Sequence, residues 1–181
     1  MKLVSSNQTK LNEFKRIIPS ITATEGKDLK EVQGTPEEVI IYKAIEAGKD
    51  CVVEDTILII DGEEVIDIKW KIQELQKINS RKCTPVSWQV LLGFNTGKTI
   101  EIYRGIVNGI IIPDSLDQGY GFDPYFLPDG SDVTLAVLES VGGKDRFSAR
   151  RNALINLKSR RFIKTISIKD VPIWTGNYQN D

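Results

Sequence analysis

Apolar residues recur along this chain with two periods, and each change of period marks a change of element. From Asn7 onward Leu11, Phe14, Ile17 and Ile18 keep helical spacing until Pro19, after a short strand predicted at Lys2 to Ser5. A second helix is predicted from Thr35 to about Gly48. Thr35 caps it, Pro36 takes its first position, Glu37 and Glu38 suit its N-terminus, and Val39, Ile40, Ala44 and Ala47 face inward. The run Val52 to Ile60 is β-branched and reads as a buried strand. Ile68, Ile72 and Leu75 share one helical face, opened by Lys69 and Trp70. Val86 to Phe94 and Thr99 to Ile112 are β-rich, with Asn95 to Lys98 as the hairpin loop between them. A last amphipathic helix is expected from about Arg146 to Lys158, followed by a weakly alternating stretch from Phe162 to Trp174 and fraying from Gly176 onward. Strands interspersed with helices predict an α/β fold, an elongated mixed β-sheet flanked by helices with a central cleft. One domain is expected over residues 1–160, with residues 161–181 as a C-terminal extension.

Composition narrows the chemistry. At 181 residues, 40% hydrophobic and 27% charged, the chain suits one globular domain with a sizeable core. It has no apolar run of transmembrane length and no basic-then-apolar leader, so a cytoplasmic location is expected and no membrane partner. Cys51 and Cys83 stand in no metal-ligand spacing, and the sequence contains no histidine. Ser-His and Cys-His nucleophilic triads are therefore excluded, leaving carboxylates, lysines and metal-bound water. A formal net charge of −1 hides an asymmetry: residues 144–164 hold eight Lys or Arg against the single acid Asp145. Such a segment suits a nucleic-acid face, an anionic small ligand or a solvated helix surface.

The candidate chemistry lies where polar groups interrupt these patterns. Glu54, Asp55 and Thr56 fall inside the apolar run, and a buried carboxylate needs a cation, hydrogen bonds or a solvent-lined cleft. The other reading ends the strand at Val53 and makes the trio a solvated turn. Ser5-Ser6-Asn7-Gln8-Thr9-Lys10 sits where a strand becomes a helix, so free backbone N–H groups and the Lys10 charge suit a phosphate there. Ser6 or Asn7 serves equally as an ordinary N-cap. Lys43 projects from the second helix near the acidic strand, and Glu31 just precedes that helix. In Gly119-Tyr120-Gly121-Phe122-Asp123-Pro124-Tyr125-Phe126 the aromatics can stack on a planar ring or fill a core corner.

In this order the pieces resemble the inosine triphosphate pyrophosphatase family. Ser5 to Lys10 is similar to its Asn-x-x-Lys phosphate loop, Glu31-Val32-Gln33-Gly34-Thr35-Pro36-Glu37 to its metal-glutamate segment, and Val53-Glu54-Asp55-Thr56 to its central acidic motif. Ile68-Lys69-Trp70 resembles its lysine helix start, Gly121-Phe122-Asp123-Pro124 its base-binding motif, and Ser148-Ala149-Arg150 its Ser-His-Arg motif. The resemblance implies a homodimeric, magnesium-dependent hydrolase with a nucleotide-binding cleft, cleaving nucleoside triphosphates such as ITP, dITP and XTP to monophosphate and pyrophosphate. It implies Glu31 and Asp55 as Mg2+ ligands and Asp55, Glu54 and Lys69 as catalytic groups. Ser5, Ser6, Asn7, Gln8, Thr9, Lys10, Lys43 and Thr56 are implied on the phosphates, and Tyr120, Gly121, Phe122, Asp123, Lys144, Ala149 and Arg150 at the base.

The chain departs from the family pattern in specific places. Ala149 replaces the family histidine, which implies relaxed base selectivity, and Thr134-Leu135-Ala136-Val137 lacks the carboxylate of Thr-x-Ala-Glu. Glu63-Glu64-Val65-Ile66-Asp67 replaces a glycine- and proline-rich loop, and residues 159–181 extend past the usual end. The competing readings are a catalytically degenerate nucleotide-binding protein and a nucleic-acid-binding module built on the basic segment. Retention of Glu31, Asp55, Lys10 and Lys69 favours the hydrolase, and nucleic acid is not expected as a partner.

Overall fold

A computed structural model of the chain describes residues 1–5, 7–24, 29–65, 68–77 and 84–179, with the side chains of Ile68 and Lys69 outside that description. The strands are β1 (Lys2–Val4), β2 (Thr22–Thr24), β3 (Cys51–Ile60), β4 (Glu63–Val65), β5 (Thr84–Asn95), β6 (Thr99–Ile111), β7 (Phe126–Pro128) and β8 (Lys164–Ser167). The helices are α1 (Gln8–Ile17), α2 (Pro36–Ala47), α3 (Ile68–Lys77), α4 (Leu135–Ser140) and α5 (Ala149–Lys158). The eight strands of the described residues join one sheet, in the order β2-β1-β3-β5-β6-β7, with β4 paired to β3 and β8 to β6. Parallel pairing of β1 with β2 and β3, and antiparallel pairing of β4, β7 and β8, makes the sheet mixed. The α/β class read from the alternating patterns is the one observed.

The chain forms two compact units. The first comprises residues 1–56, 90–105 and 150–181. Leu3, Phe14, Ile40, Val52, Leu92, Ile102 and Leu154 are buried in it. β3 runs unbroken through Glu54, Asp55 and Thr56, so the turn after Val53 does not form. α2 starts where its sequence dictates: the Thr35 side chain accepts from the Glu38 N–H, Glu38 returns a carboxylate to Thr35, and Pro36 follows. At the end of β5, the Asn95 side chain donates to the Ala44 carbonyl at 3.0 Å and accepts from the Gly97 N–H at 2.8 Å.

Residues 161–179 correct an expectation. They were expected to lie outside the domain and to fray from Gly176, yet β8 pairs with β6 and Tyr178 bridges to Val32. Weak alternation hides such a segment, because what orders it is backbone hydrogen bonding and not a buried apolar stripe. The last helix also starts later than expected. A short 3-10 turn, Lys144–Phe147, precedes it, and α5 begins at Ala149. α4 was missed in the sequence because its six residues are too few to display a period.

The second unit comprises residues 57–89 and 106–149. Trp88 lies edge-on to Phe122 at 5.4 Å and to Phe126 at 6.5 Å, with Trp88 and Phe126 both buried. Among the described residues no helix is long and apolar enough to cross a membrane. β7 lies against β6 so closely that a Cβ on Gly109 would come within 2.2 Å of the Leu127 carbonyl and 2.4 Å of the Phe126 ring. Gly109→Ala is therefore expected to cost about 1–3 kcal/mol, the usual range for overpacking. A urea unfolding midpoint equal to that of the parent would show that β7 is not seated as described.

Candidate active site

The junction of β1 and α1 positions the first group. Asn7 caps α1, its side-chain oxygen accepting from the Lys10 N–H at 3.1 Å, while Ser5 Oγ accepts from the Asn7 N–H at 3.1 Å. The cap is thus real, and Lys10 lies in the first turn of the helix it starts. Gln8 and Thr9 are exposed, and the Gln8 amide donates to Asn12 at 2.9 Å. Ser6 lies outside the described residues. Lys10 Nζ reaches Glu54 Oε1 at 3.2 Å, which joins the loop to β3.

Glu54 is the most heavily engaged acid of the first unit. Arg150 donates to it twice, Nε to Oε2 at 2.6 Å and Nη2 to Oε1 at 2.9 Å, and Thr56 Oγ1 donates at 3.1 Å. Arg150 Nη1 also donates to Glu13. Burial alone would raise the Glu54 pKa. The Arg150 charge, followed by Lys10, outweighs it and lowers the value from 4.5 to about 2. Burial likewise pulls against the Arg150 charge, and Glu54 and then Glu13 raise its pKa above the ordinary value.

This cluster bears on two expectations. Both Glu54 oxygens are occupied by Arg150, Lys10 and Thr56, so its carboxylate ties α1 and α5 to β3. The Arg150 guanidinium is committed to Glu13 and Glu54, both buried acids. Turning it away would leave two buried carboxylates short of their cation. Glu13 itself was missed in the sequence. The available signal was its helical stripe, three residues after Lys10 and four before Ile17.

Asp55, the next residue on β3, has the opposite environment. Lys43 Nζ of α2 lies 2.6 Å from Glu31 Oε1 and 3.4 Å from Asp55 Oδ1, so one ammonium gathers two carboxylates. Burial raises the Asp55 pKa, Lys43 opposes this, Glu31 adds to it, and the net direction is upward. Burial lowers that of Lys43, but the Asp55 and Glu31 charges outweigh it, and its pKa lies above the ordinary value. Excess negative charge therefore remains at the pair. Among the described residues no group of three or more acids or thiols is placed to hold a metal. Two oxygen donors with unrelieved charge fit Mg2+, which takes one or two carboxylates and completes its shell with water and phosphate oxygens.

In the second unit, Asp123 and Lys144 are each 5% exposed and form an ion pair of 2.5 Å. Phe122 is half-buried against Trp88, Tyr120 is exposed, and Gly121 has φ of +60°, a conformation that favours glycine. Ala149 has no exposed surface. Lys69 falls in α3 with its side chain outside the described residues. The basic segment loses much of its apparent charge: Lys144, Arg150, Arg160 and Lys164 are each in an ion pair with an acid.

Fold and site together define a mixed α/β protein in which carboxylates and lysines cluster about β3, in a chain that contains no histidine. The chain belongs to the Ham1 family, whose model matches residues 1–160. It is 30% identical to an inosine triphosphate pyrophosphatase of Podospora anserina, over 87% of this chain and 92% of that protein. It is 26% identical to a dITP/XTP pyrophosphatase of Hyperthermus butylicus, over 83% and 88% respectively. The Ham1 protein of Staphylococcus aureus superposes with a TM-score of 0.71 at 25% identity, covering 89% of this chain and 98% of that one.

The two acids make opposite contributions to stability. Glu54 has a depressed pKa, so about 3 kcal/mol of stability is present above pH 4.5 and is lost as the pH falls toward 2. Asp55 has a raised pKa, so its ionisation lowers stability as the pH rises past its unfolded value of 3.8. Glu54→Gln should therefore destabilise the protein at neutral pH and flatten its acid limb, whereas Asp55→Asn should raise Tm at pH 7. Equal Tm values for the two variants would contradict the assigned environments.

Proposed function

We propose that this protein hydrolyses non-standard purine nucleoside triphosphates, with ITP, dITP and XTP as the substrate class, to the nucleoside monophosphate and pyrophosphate. The observation that carries the reading is geometric: around the neighbours Glu54 and Asp55 of β3 the fold gathers Lys10, 3.2 Å from Glu54, and Lys43, 2.6 Å from Glu31 and 3.4 Å from Asp55. Such a set offers cations for the charge on the phosphates and hard oxygen donors for a divalent metal. Membership of the Ham1 family and the names of the curated relatives support the substrate class.

In the proposed reaction Asp55 orients the attacking water, which adds to the α-phosphorus and releases its proton to solvent as the bond to the pyrophosphate leaving group breaks. Lys10, the backbone N–H groups at the start of α1, and Lys43 offset the negative charge that gathers on the phosphates as the anhydride bond breaks. Glu31 and Asp55 would hold Mg2+, which would supply charge neutralisation at the phosphoryl oxygens. Glu54 acts at one remove by fixing Lys10 and Arg150. Lys69, as implied by the resemblance, is proposed to add a further cation. For the base, stacking on Phe122 and polar contacts from the Asp123–Lys144 pair are proposed. With Ala149 buried and Arg150 committed elsewhere, fewer donors are left to read the ring, so relaxed discrimination among bases is part of the proposal. A homodimer is proposed on the family resemblance, and sedimentation equilibrium measures it.

A degenerate binder is disfavoured because Glu31 and Asp55 are both retained beside Lys43, an arrangement mere phosphate binding does not need. The nucleic-acid reading loses its basis with four of eight cations of the basic segment neutralised in ion pairs.

Incubation with Mg2+ and a panel of triphosphates, with separate assay of pyrophosphate and orthophosphate, tests the reading. Pyrophosphate is expected stoichiometric with monophosphate; orthophosphate with a diphosphate product would overturn it. Glu31→Gln and Asp55→Asn are each expected to lower kcat/KM by about 100-fold or more, as loss of a charged ligand does. Turnover within a few-fold of the parent in either variant would remove that residue from the site.

A further inference from the structure

We infer that residues 171–179 form a clasp that positions the Glu31 carboxylate, with Gln179 and Trp174 as positioning residues. This rests on the proposed role of Glu31 and goes beyond it, because the clasp lies outside residues 1–160 matched by the family. Glu31 needs such support. It sits in a stretch with no helix or strand of its own, before the Thr35 cap of α2, and apart from one isolated bridge nothing in that stretch has a regular ladder.

The C-terminal segment supplies the missing bonds. The Gln179 N–H donates to the Glu31 carbonyl at 2.7 Å, and the Gln179 side-chain amide donates to the Val32 carbonyl at 3.0 Å. The Gln33 N–H in turn donates to the Asn177 carbonyl at 2.9 Å, which completes an antiparallel bridge between Val32 and Tyr178. The main chain from the Glu31 carbonyl through Gln33 is thereby tied down, and a carboxylate on an anchored backbone has little freedom beyond its own rotamers.

The clasp is itself anchored to α2. Tyr42 donates its hydroxyl to the Pro172 carbonyl at 2.9 Å, and the Trp174 ring meets Tyr42 edge-on at 5.2 Å. Trp174 Nε1 donates to the Asn177 carbonyl at 3.0 Å, holding the turn that delivers Gln179. Gly34 leaves room for the indole, since a Cβ there would lie 3.2 Å from Trp174 Cη2. Lys30 Nζ stands 5.1 Å from the Tyr178 ring centre. Tyr42 and Lys43 are consecutive on α2, so one residue holds the clasp and the next holds the carboxylate that the clasp positions. Loss of supporting contacts around a ligand carboxylate typically weakens metal binding 10- to 100-fold.

The test uses the full chain. Gln179→Pro removes both the N–H and the amide that reach Glu31 and Val32, Trp174→Ala removes the anchor, and Trp174→Phe keeps a ring against Tyr42. Mn2+ affinity of the nucleotide-free protein is read by electron paramagnetic resonance, alongside amide exchange at Gln33 and the Mg2+ concentration for half-maximal turnover. Gln179→Pro and Trp174→Ala should each weaken Mn2+ binding about ten-fold and raise the Mg2+ requirement in parallel, with faster exchange at Gln33 and kcat at saturating Mg2+ retained within a few-fold. Trp174→Phe should restore most of the affinity. A folded Gln179→Pro with the parent's Mn2+ affinity overturns the clasp; if that variant does not fold, the same result for Trp174→Ala does so. A lowered Tm with unchanged Mn2+ affinity also overturns it, since that is the signature of a purely structural segment. A parent that neither binds Mn2+ nor releases pyrophosphate overturns the site reading and the clasp with it.

Discussion

Burial of the Arg150 guanidinium between Glu54 and Glu13 is the constraint on which the rest of the first unit depends. Three charged groups, each less than 10% exposed, are tolerable only together, because removal of any one leaves a charge in a medium that cannot solvate it. The cluster joins α1, β3 and α5, three elements far apart in sequence, and Lys10 adds a fourth charge from the first turn of α1. An ion cluster of this kind contributes less to net stability than an apolar core of equal volume. Its effect is to fix which residues face one another.

That fixing gives the two neighbouring acids of β3 different properties. Glu54 uses both oxygens on cations and a hydroxyl and stays ionised into strong acid. Asp55 shares one lysine with Glu31 and is held less ionisable than an ordinary aspartate. The difference comes from the partners each acid meets, Arg150 and Lys10 at Glu54 and the shared Lys43 at Asp55, with the Lys10 charge felt by both. One strand thereby carries two acids in different charge surroundings.

The C-terminal segment shows a related economy. Residues 171–179 bury little of their own surface, and Ile173 is 90% exposed, yet their backbone supplies hydrogen bonds to a stretch that has no ladder of its own. Order at Glu31 is set partly by residues more than a hundred positions away.

By itself the sequence determined the α/β class, the capped start of α2, the long β5 and β6 strands, and the order of the motifs. These are local or periodic properties, carried by residues such as Thr35, Pro36 and the runs around Trp88 and Ile102. It also marked Glu54 and Asp55 as anomalous, because acids inside an apolar run need an explanation. What it left open was which cation meets which acid. Arg150 looked suited to a base edge, the partnership of Glu13 was missed, Ala149 looked like part of a pocket lining, and residues 161–179 looked like a tail. Each depends on contacts between elements distant in the chain, and neither periodicity nor capping reports on these. Only the tertiary structure, by bringing buried charges within reach of one another, decided those pairings, since a charge taken out of water must find its partner wherever the fold places it.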